Sequence, residues 1–136
     1  MFRADSRSGR WPVAVLLLLL ALLAGCDLAV GPSATVEEFH QNISEGKIED
    51  AISLIAPESI EEIGADKVRT LLRSATQDVK KKGGIKVSRI EKEEITGKLA
   101  KVTIYIEHGD GSADFHDVNL VQRDGEWLIL FELGDK

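Results

Sequence analysis

The sequence predicts an α+β domain, with helices first and an antiparallel sheet of four strands after them. Three observations carry that expectation. Apolar residues recur at helical spacing as far as Gly83-Gly84, they alternate with polar ones beyond it, and the alternating runs are divided by Gly109-Asp110-Gly111-Ser112 and Asp124-Gly125 turn signals.

The elements follow in order. Thr35 and Glu38 have the spacing of a capping box, and Val36, Phe39 and Ile43 continue on one helical face until Gly46. Ile48, Ala51, Ile52 and Ile55 repeat the period and stop before Pro57, so two short helices form a hairpin at the glycine. Ser59 to Ile63 adds a helical turn. Asp66 then opens the longest run, in which Val68, Leu71, Leu72, Ala75 and Val79 share a face. Lys80-Lys81-Lys82 complements the negative end of that helix dipole, and Gly83-Gly84 caps it.

In the strand half, Ile85 and Val87 alternate but Ile90 falls out of phase, which predicts a bulge in the first strand. Val102, Ile104 and Ile106 alternate cleanly with polar neighbours, and Tyr105 is out of phase with them and faces outward. A two-residue Asp124-Gly125 turn pairs Gln122 with Trp127, Leu120 with Ile129 and Val118 with Phe131. A three-residue Asp110-Gly111-Ser112 loop pairs Val102 with Leu120, Ile104 with Val118 and Ile106 with His116, and sets His108 opposite Asp114. A slip of one residue would invert the faces. The expected core face is therefore Val102, Ile104, Ile106, Val118, Leu120, Trp127, Ile129 and Phe131.

Charge divides the 136 residues into two pieces. Arg3, Arg7 and Arg10 against Asp5 give the first 25 residues +2, so with −6 overall the remainder carries −8. An acidic body argues against nucleic acid, whose recognition starts from a basic surface, and against electrostatic docking on anionic lipid. The leader joins these arginines to an apolar run, Val13 to Ala24, of about 12 residues, short of the roughly 20 needed to cross a bilayer. It is followed by Leu23-Ala24-Gly25-Cys26, which resembles the lipobox of bacterial lipoproteins. That resemblance implies a signal peptide cleaved after residue 25 and a diacylglycerol and an N-acyl chain on Cys26. It also implies attachment to the membrane of the cell envelope through lipid. Asp27 resembles an inner-membrane retention signal. Cys26 is the sole cysteine, so no internal disulfide is available. The expected organisation is a signal peptide at 1–25, a lipidated cysteine and short tether at 26–32, and one domain at 33–136.

The helical hairpin with Glu45-Gly46-Lys47 at its break, the bent first strand, and the final Asp117-Val118-Asn119-Leu120-Val121-Gln122-Arg123-Asp124-Gly125-Glu126-Trp127 hairpin resemble small lipoproteins of the nuclear-transport-factor-two-like superfamily. The resemblance implies a curved sheet wrapped around helices as a cone, often with a pocket. Isomerases and dehydratases of the superfamily carry an acid or base inside that cone. Here the expected core face is almost wholly apolar, which suits packing or a small apolar ligand better than proton transfer. No nucleophile with a paired base, phosphate loop or cysteine knuckle is present, so no catalytic residue, metal or cofactor is assigned.

Two patches remain as candidates. His108, Asp114 and His116 gather at the end of the second hairpin, where they read as a metal-binding patch, as a base with its orienter or, more plainly, as a solvated hairpin tip. Val121, Leu128 and Leu130 form an apolar strip on the outer sheet face that could join a second copy or an envelope protein. The leading expectation is a non-catalytic, lipid-anchored domain that binds a partner or small apolar ligand. An isomerase-like enzyme and a dimerising structural subunit are the alternatives.

Overall fold

The computed structural model describes residues 30–132. The leader, Cys26 and the end of the chain from 133 lie outside them. Among the described residues, four helices precede four strands: α1 (Pro32–Glu45), α2 (Ile48–Ser53), α3 (Pro57–Ile63), α4 (Ala65–Lys81), β1 (Ile85–Thr96), β2 (Leu99–His108), β3 (Ala113–Arg123) and β4 (Glu126–Leu130). The strands form one antiparallel sheet in the order β1-β2-β3-β4, with the helices on one face.

Local chemistry accounts for most boundaries. α1 starts earlier than its capping-box spacing predicts, because Gly31 takes the cap position and Pro32, whose missing N–H costs nothing there, starts the helix. Thr35 thus lies inside α1, and its hydroxyl donates to the Trp127 carbonyl at 3.3 Å. Gly46 ends α1 in the left-handed region at φ 72°, which a Cβ would disfavour. The Ser59 to Ile63 turn is a full helix from Pro57. β1 carries two register shifts, between Ile85 and Val87 and between Ile90 and Lys92, at the place where its apolar phase breaks.

The core lies between the layers. Val36, Phe39 and Ile43 of α1 and Val68 and Leu72 of α4 meet Val102, Ile104 and Ile106 of β2, Leu120 of β3 and Trp127 and Ile129 of β4. Of the expected core face, only Val118 and Phe131 are partly rather than fully buried. The Thr76 hydroxyl donates to the Ile43 carbonyl at 2.9 Å and ties α4 to α1. Beside β4, Ala56 N donates to Ile129 O at 2.8 Å and Ile129 N to Leu54 O at 2.7 Å, so the chain after α2 covers that sheet edge.

The β3–β4 register is the one expected, with Gln122 opposite Trp127 and Leu120 opposite Ile129. The β2–β3 register is corrected by two residues. Val102 pairs with Val118, Ile104 with His116 and Ile106 with Asp114, so His108 is not opposite Asp114. The connection is Gly109–Ser112, in which Ser112 donates to the Asp110 carboxylate from its N–H at 2.9 Å and its hydroxyl at 2.6 Å. A two-residue shift keeps every side chain on its own face, so the apolar pattern is satisfied by either register.

The same turn is clasped to the end of α4. Gly109 N donates to Gly84 O at 3.1 Å and Asp110 N to Lys82 O at 2.8 Å. A Cβ on Gly109 would press into the Gly83 carbonyl, and backbone on both sides leaves little room to yield. Gly109→Ala is therefore expected to lower unfolding stability by about 1–3 kcal/mol in chemical denaturation. Gly109 is not at positive φ, so its loss reports this contact, whereas Gly111→Ala, at φ 86° with nothing within 4 Å of the added Cβ, reports the strain of positive φ alone.

Candidate functional site

A cavity of about 260 Å³ opens between α1, the C-terminal half of α4 and the clasped end of the sheet. Its apolar wall includes Phe39, Ile43, Leu71, Ala75, Ile106 and Phe131. Its polar groups are His40, His108, His116, Asp78, Lys82 and Asp114. The chain has three histidines, and all of them line this one cavity.

Each histidine occupies a different environment. His108, at the end of β2, is only 4% exposed, and its Nδ1 lies 3.3 Å from the Gly84 carbonyl. Since a carbonyl can only accept, this contact puts the ring proton on Nδ1. His108 is thus a partnered interior side chain and not part of a solvated tip. His116 and Asp114 are exposed at the mouth. Asp114 faces Lys82 at 3.6 Å, so its carboxylate is engaged by an ammonium and not by an imidazole.

His40 is the residue that sequence reasoning missed. It follows Phe39 in α1, and its ring stands 5.8 Å from that of Phe39, edge to face, and 5.9 Å from that of His116. Burial, and secondarily the nearby His116 ring, push its pKa down to about 4. Its Nε2 is buried with no hydrogen-bond partner in the protein. The available signal was positional: His40 lies at i+4 from Val36, beside the apolar stripe of α1 rather than on its polar face.

The arrangement suits binding better than proton transfer. A neutral imidazole in an apolar wall can give or take one hydrogen bond, whereas a general base needs a partner that orients it and a pKa near working pH. Among the described residues no group of three or more His, Cys, Asp or Glu has metal-holding geometry, and no helix is long and apolar enough to cross a membrane. On the opposite sheet face, Val121 is 6% exposed while Leu128 and Leu130 are partly buried, so this strip offers little free apolar surface. That face also carries the pairwise neighbours Arg89, Tyr105 and Phe115, with the Arg89 guanidinium 4.6 Å from the Tyr105 ring centre.

A family model described as a domain of unknown function, DUF4878, matches residues 24–130. Among solved structures, the chain is similar to a Campylobacter jejuni protein described as an NTF2-like transpeptidase. Identity is 20% over 75% of this chain and 99% of that one, with a TM-score of 0.68. It is also similar to a SEC-C motif containing protein from Rhodopseudomonas palustris, with 17% identity over 84% of this chain and 87% of that one and a TM-score of 0.54. No curated protein matches it in sequence. At such identities the likeness shows the fold alone, an NTF2-like packing of helices on a four-stranded antiparallel sheet.

The half-buried His40 imidazole makes a prediction about pH. The folded-state pKa of His40 is depressed from 6.5 to about 4, so the unfolded chain takes up this proton first as pH falls. Stability present above pH 6.5 should be lost progressively down to about pH 4, by up to about 3 kcal/mol at 1.36 kcal/mol per pH unit. His40→Leu should flatten that limb in urea titrations from pH 7 to 5. The window lies above the range where exposed carboxylates such as Glu45 and Glu58, both shifted downward, protonate.

Proposed function

The chain belongs to DUF4878, a family of unknown function, and from that premise we propose that it is a lipid-anchored envelope protein whose domain binds a small, mainly apolar ligand in the histidine-lined cavity. The observation that carries the ligand reading is the placement of three imidazoles around one mainly apolar cavity, among them His40, whose Nε2 has no partner in the protein. A buried polar atom left unpaired costs about 1–3 kcal/mol, which a ligand carrying one hydrogen-bonding group would offset. The size supports a small ligand. The cavity exceeds the roughly 150 Å³ that holds benzene but falls short of the range of about 300–1,000 Å³ for drug-sized molecules.

Anchoring rests on the order of features around Cys26: basic leader, short apolar run, small residues, cysteine. One chain holds a protein only reversibly, so diacylglycerol together with the N-acyl chain is the stable form. The envelope, with the inner membrane suggested by Asp27, is the matching location.

A second reading, a small isomerase-like enzyme, draws on the close approach of His40 and His116 in one cavity. It is the weaker one, because Asp114, the natural orienter, is turned to Lys82 and the pKa of His40 is far below neutral. A dimerising subunit is weaker still, given the burial of Val121.

Native mass spectrometry of the protein extracted from its own membranes tests the leading reading. The acylated polypeptide should carry a small-molecule adduct that Ala75→Phe, filling the cavity from α4, removes while the helical circular dichroism persists. Cys26→Ser should lose the acyl mass. A wild-type spectrum of bare acylated polypeptide would overturn ligand binding, and acyl mass persisting on Cys26→Ser would overturn the anchor.

A further inference from the structure

Among the described residues, four large apolar side chains stand more than half exposed: Val30 at 58%, Ile95 at 52%, Leu99 at 56% and Phe115 at 65%. The first three share one end of the domain. Ser33 N donates to the Glu93 carboxylate at 3.1 Å, which lays the first turn of α1 against β1 two residues before Ile95. Thr96 pairs with Leu99 across the β1–β2 turn, and Gln122 N donates to Lys98 O at 2.8 Å, which holds the turn beside β3. Val30, Ile95 and Leu99 therefore lie at the end where the chain enters the fold, Ile95 on the core-facing side of the β1–β2 turn beside Ala100 and Leu99 on the outer side beside Val121. α1 runs from that end to the cavity, which His40 and Ile43 line. β2 runs between the same two ends, from Leu99 to His108, about 30 Å at roughly 3.3 Å per residue.

We propose that this end is a membrane-contact tip, in which Ile95, Leu99 and Val30 enter the interfacial layer of the phospholipid bilayer and stand the domain upright with its cavity facing away from the lipid. The inference rests on acylation of Cys26. Three residues separate Cys26 from Val30, a reach of about 14 Å when fully extended at roughly 3.4 Å per residue, so the tip is held against the bilayer surface. Such a tether keeps the tip at high effective concentration, and a contact too weak to recruit a free domain becomes the resting state of an anchored one.

The charge pattern fits this occupant. The domain is acidic, so attraction to anionic lipid is not the source of contact. At the tip, Lys92 and Glu94 neutralise each other at 2.8 Å, and Lys98, between Ile95 and Leu99, can keep its ammonium among headgroups; the β3–β4 turn at the same end adds Arg123, paired with Glu58 at 2.6 Å, and the exposed Asp124 and Glu126, which stay on the aqueous side of the headgroups. Phe115, the remaining exposed apolar side chain, pairs with Tyr105 on the outer face and lies toward the cavity end.

The test uses the full-length acylated protein in phosphatidylcholine–phosphatidylglycerol vesicles with brominated acyl chains. Leu99→Trp and Phe115→Trp each add one reporter at an exposed site, and the wild-type signal, with Trp127 buried at 8%, is subtracted. The Leu99→Trp reporter should be quenched at least twofold more than the Phe115→Trp reporter, with blue-shifted emission. Equal quenching, or none, in protein that floats with the vesicles would overturn the tip and leave the anchor standing. If wild type and Cys26→Ser alike carry no acyl mass and fail to float, the anchor fails and the tip falls with it.

Discussion

Gly109 lies against Gly83 with no room for a side chain on it, and the arrangement of the cavity end depends on that contact. Two backbone bonds, Gly109 N to Gly84 O and Asp110 N to Lys82 O, join the residues just after α4 to the β2–β3 connection. They set how closely the helical layer approaches the sheet at this end. The same clasp puts the Gly84 carbonyl beside His108, which gives a nearly fully buried imidazole its partner. Lys82 is held within reach of Asp114 by the same geometry. At the far end the layers are closed differently, by Thr35 on the Trp127 carbonyl and Ser33 on Glu93. The domain is therefore sealed by side chains where the chain enters and by bare backbone where the cavity opens.

How much was legible in the sequence follows from which physical rule governs each element. The β3–β4 hairpin was readable to the residue, because Asp124 and Gly125 at positive φ (50° and 80°) make a two-residue turn that admits one register. The β2–β3 hairpin was readable only to its faces. Its four-residue connection is fixed by Ser112 on Asp110 and by the contact with α4, a tertiary constraint invisible to alternation. The helices were found by period, but the start of α1 was misplaced because a proline at the first helical position replaced the expected side-chain cap. His108 looked like part of a wet hairpin tip for the same reason as the register error: nothing local announces that α4 ends over it. His40 was missed because periodicity counts apolar residues, and a lone imidazole beside an apolar stripe reads as its polar border.

The cavity combines these constraints into one chemical character. Three imidazoles surround a mainly apolar space, yet they are not equivalent, since one is buried and partnered, one is exposed and one is half-buried with its Nε2 unpaired. Low dielectric makes that free nitrogen a costly group to leave alone and a directional one to bind. The fold contributes placement rather than chemistry. A sheet of this kind hosts many activities, and the two solved structures of similar shape are too distant in sequence to transfer any. In this domain the ends of β2 differ in character, with exposed apolar side chains at the entry end and histidines at the other.

The central claim is that the histidine-lined space is a binding site and not a packing defect. Determining the crystal structure of the protein purified from its native membranes, without added ligand, tests it most directly. The account expects density for a small molecule against Phe39 and Ile106, with a hydrogen bond to His40 Nε2. A cavity closed by inward movement of Leu71 and Phe131, with His40 bonded to another residue of the protein, would contradict it.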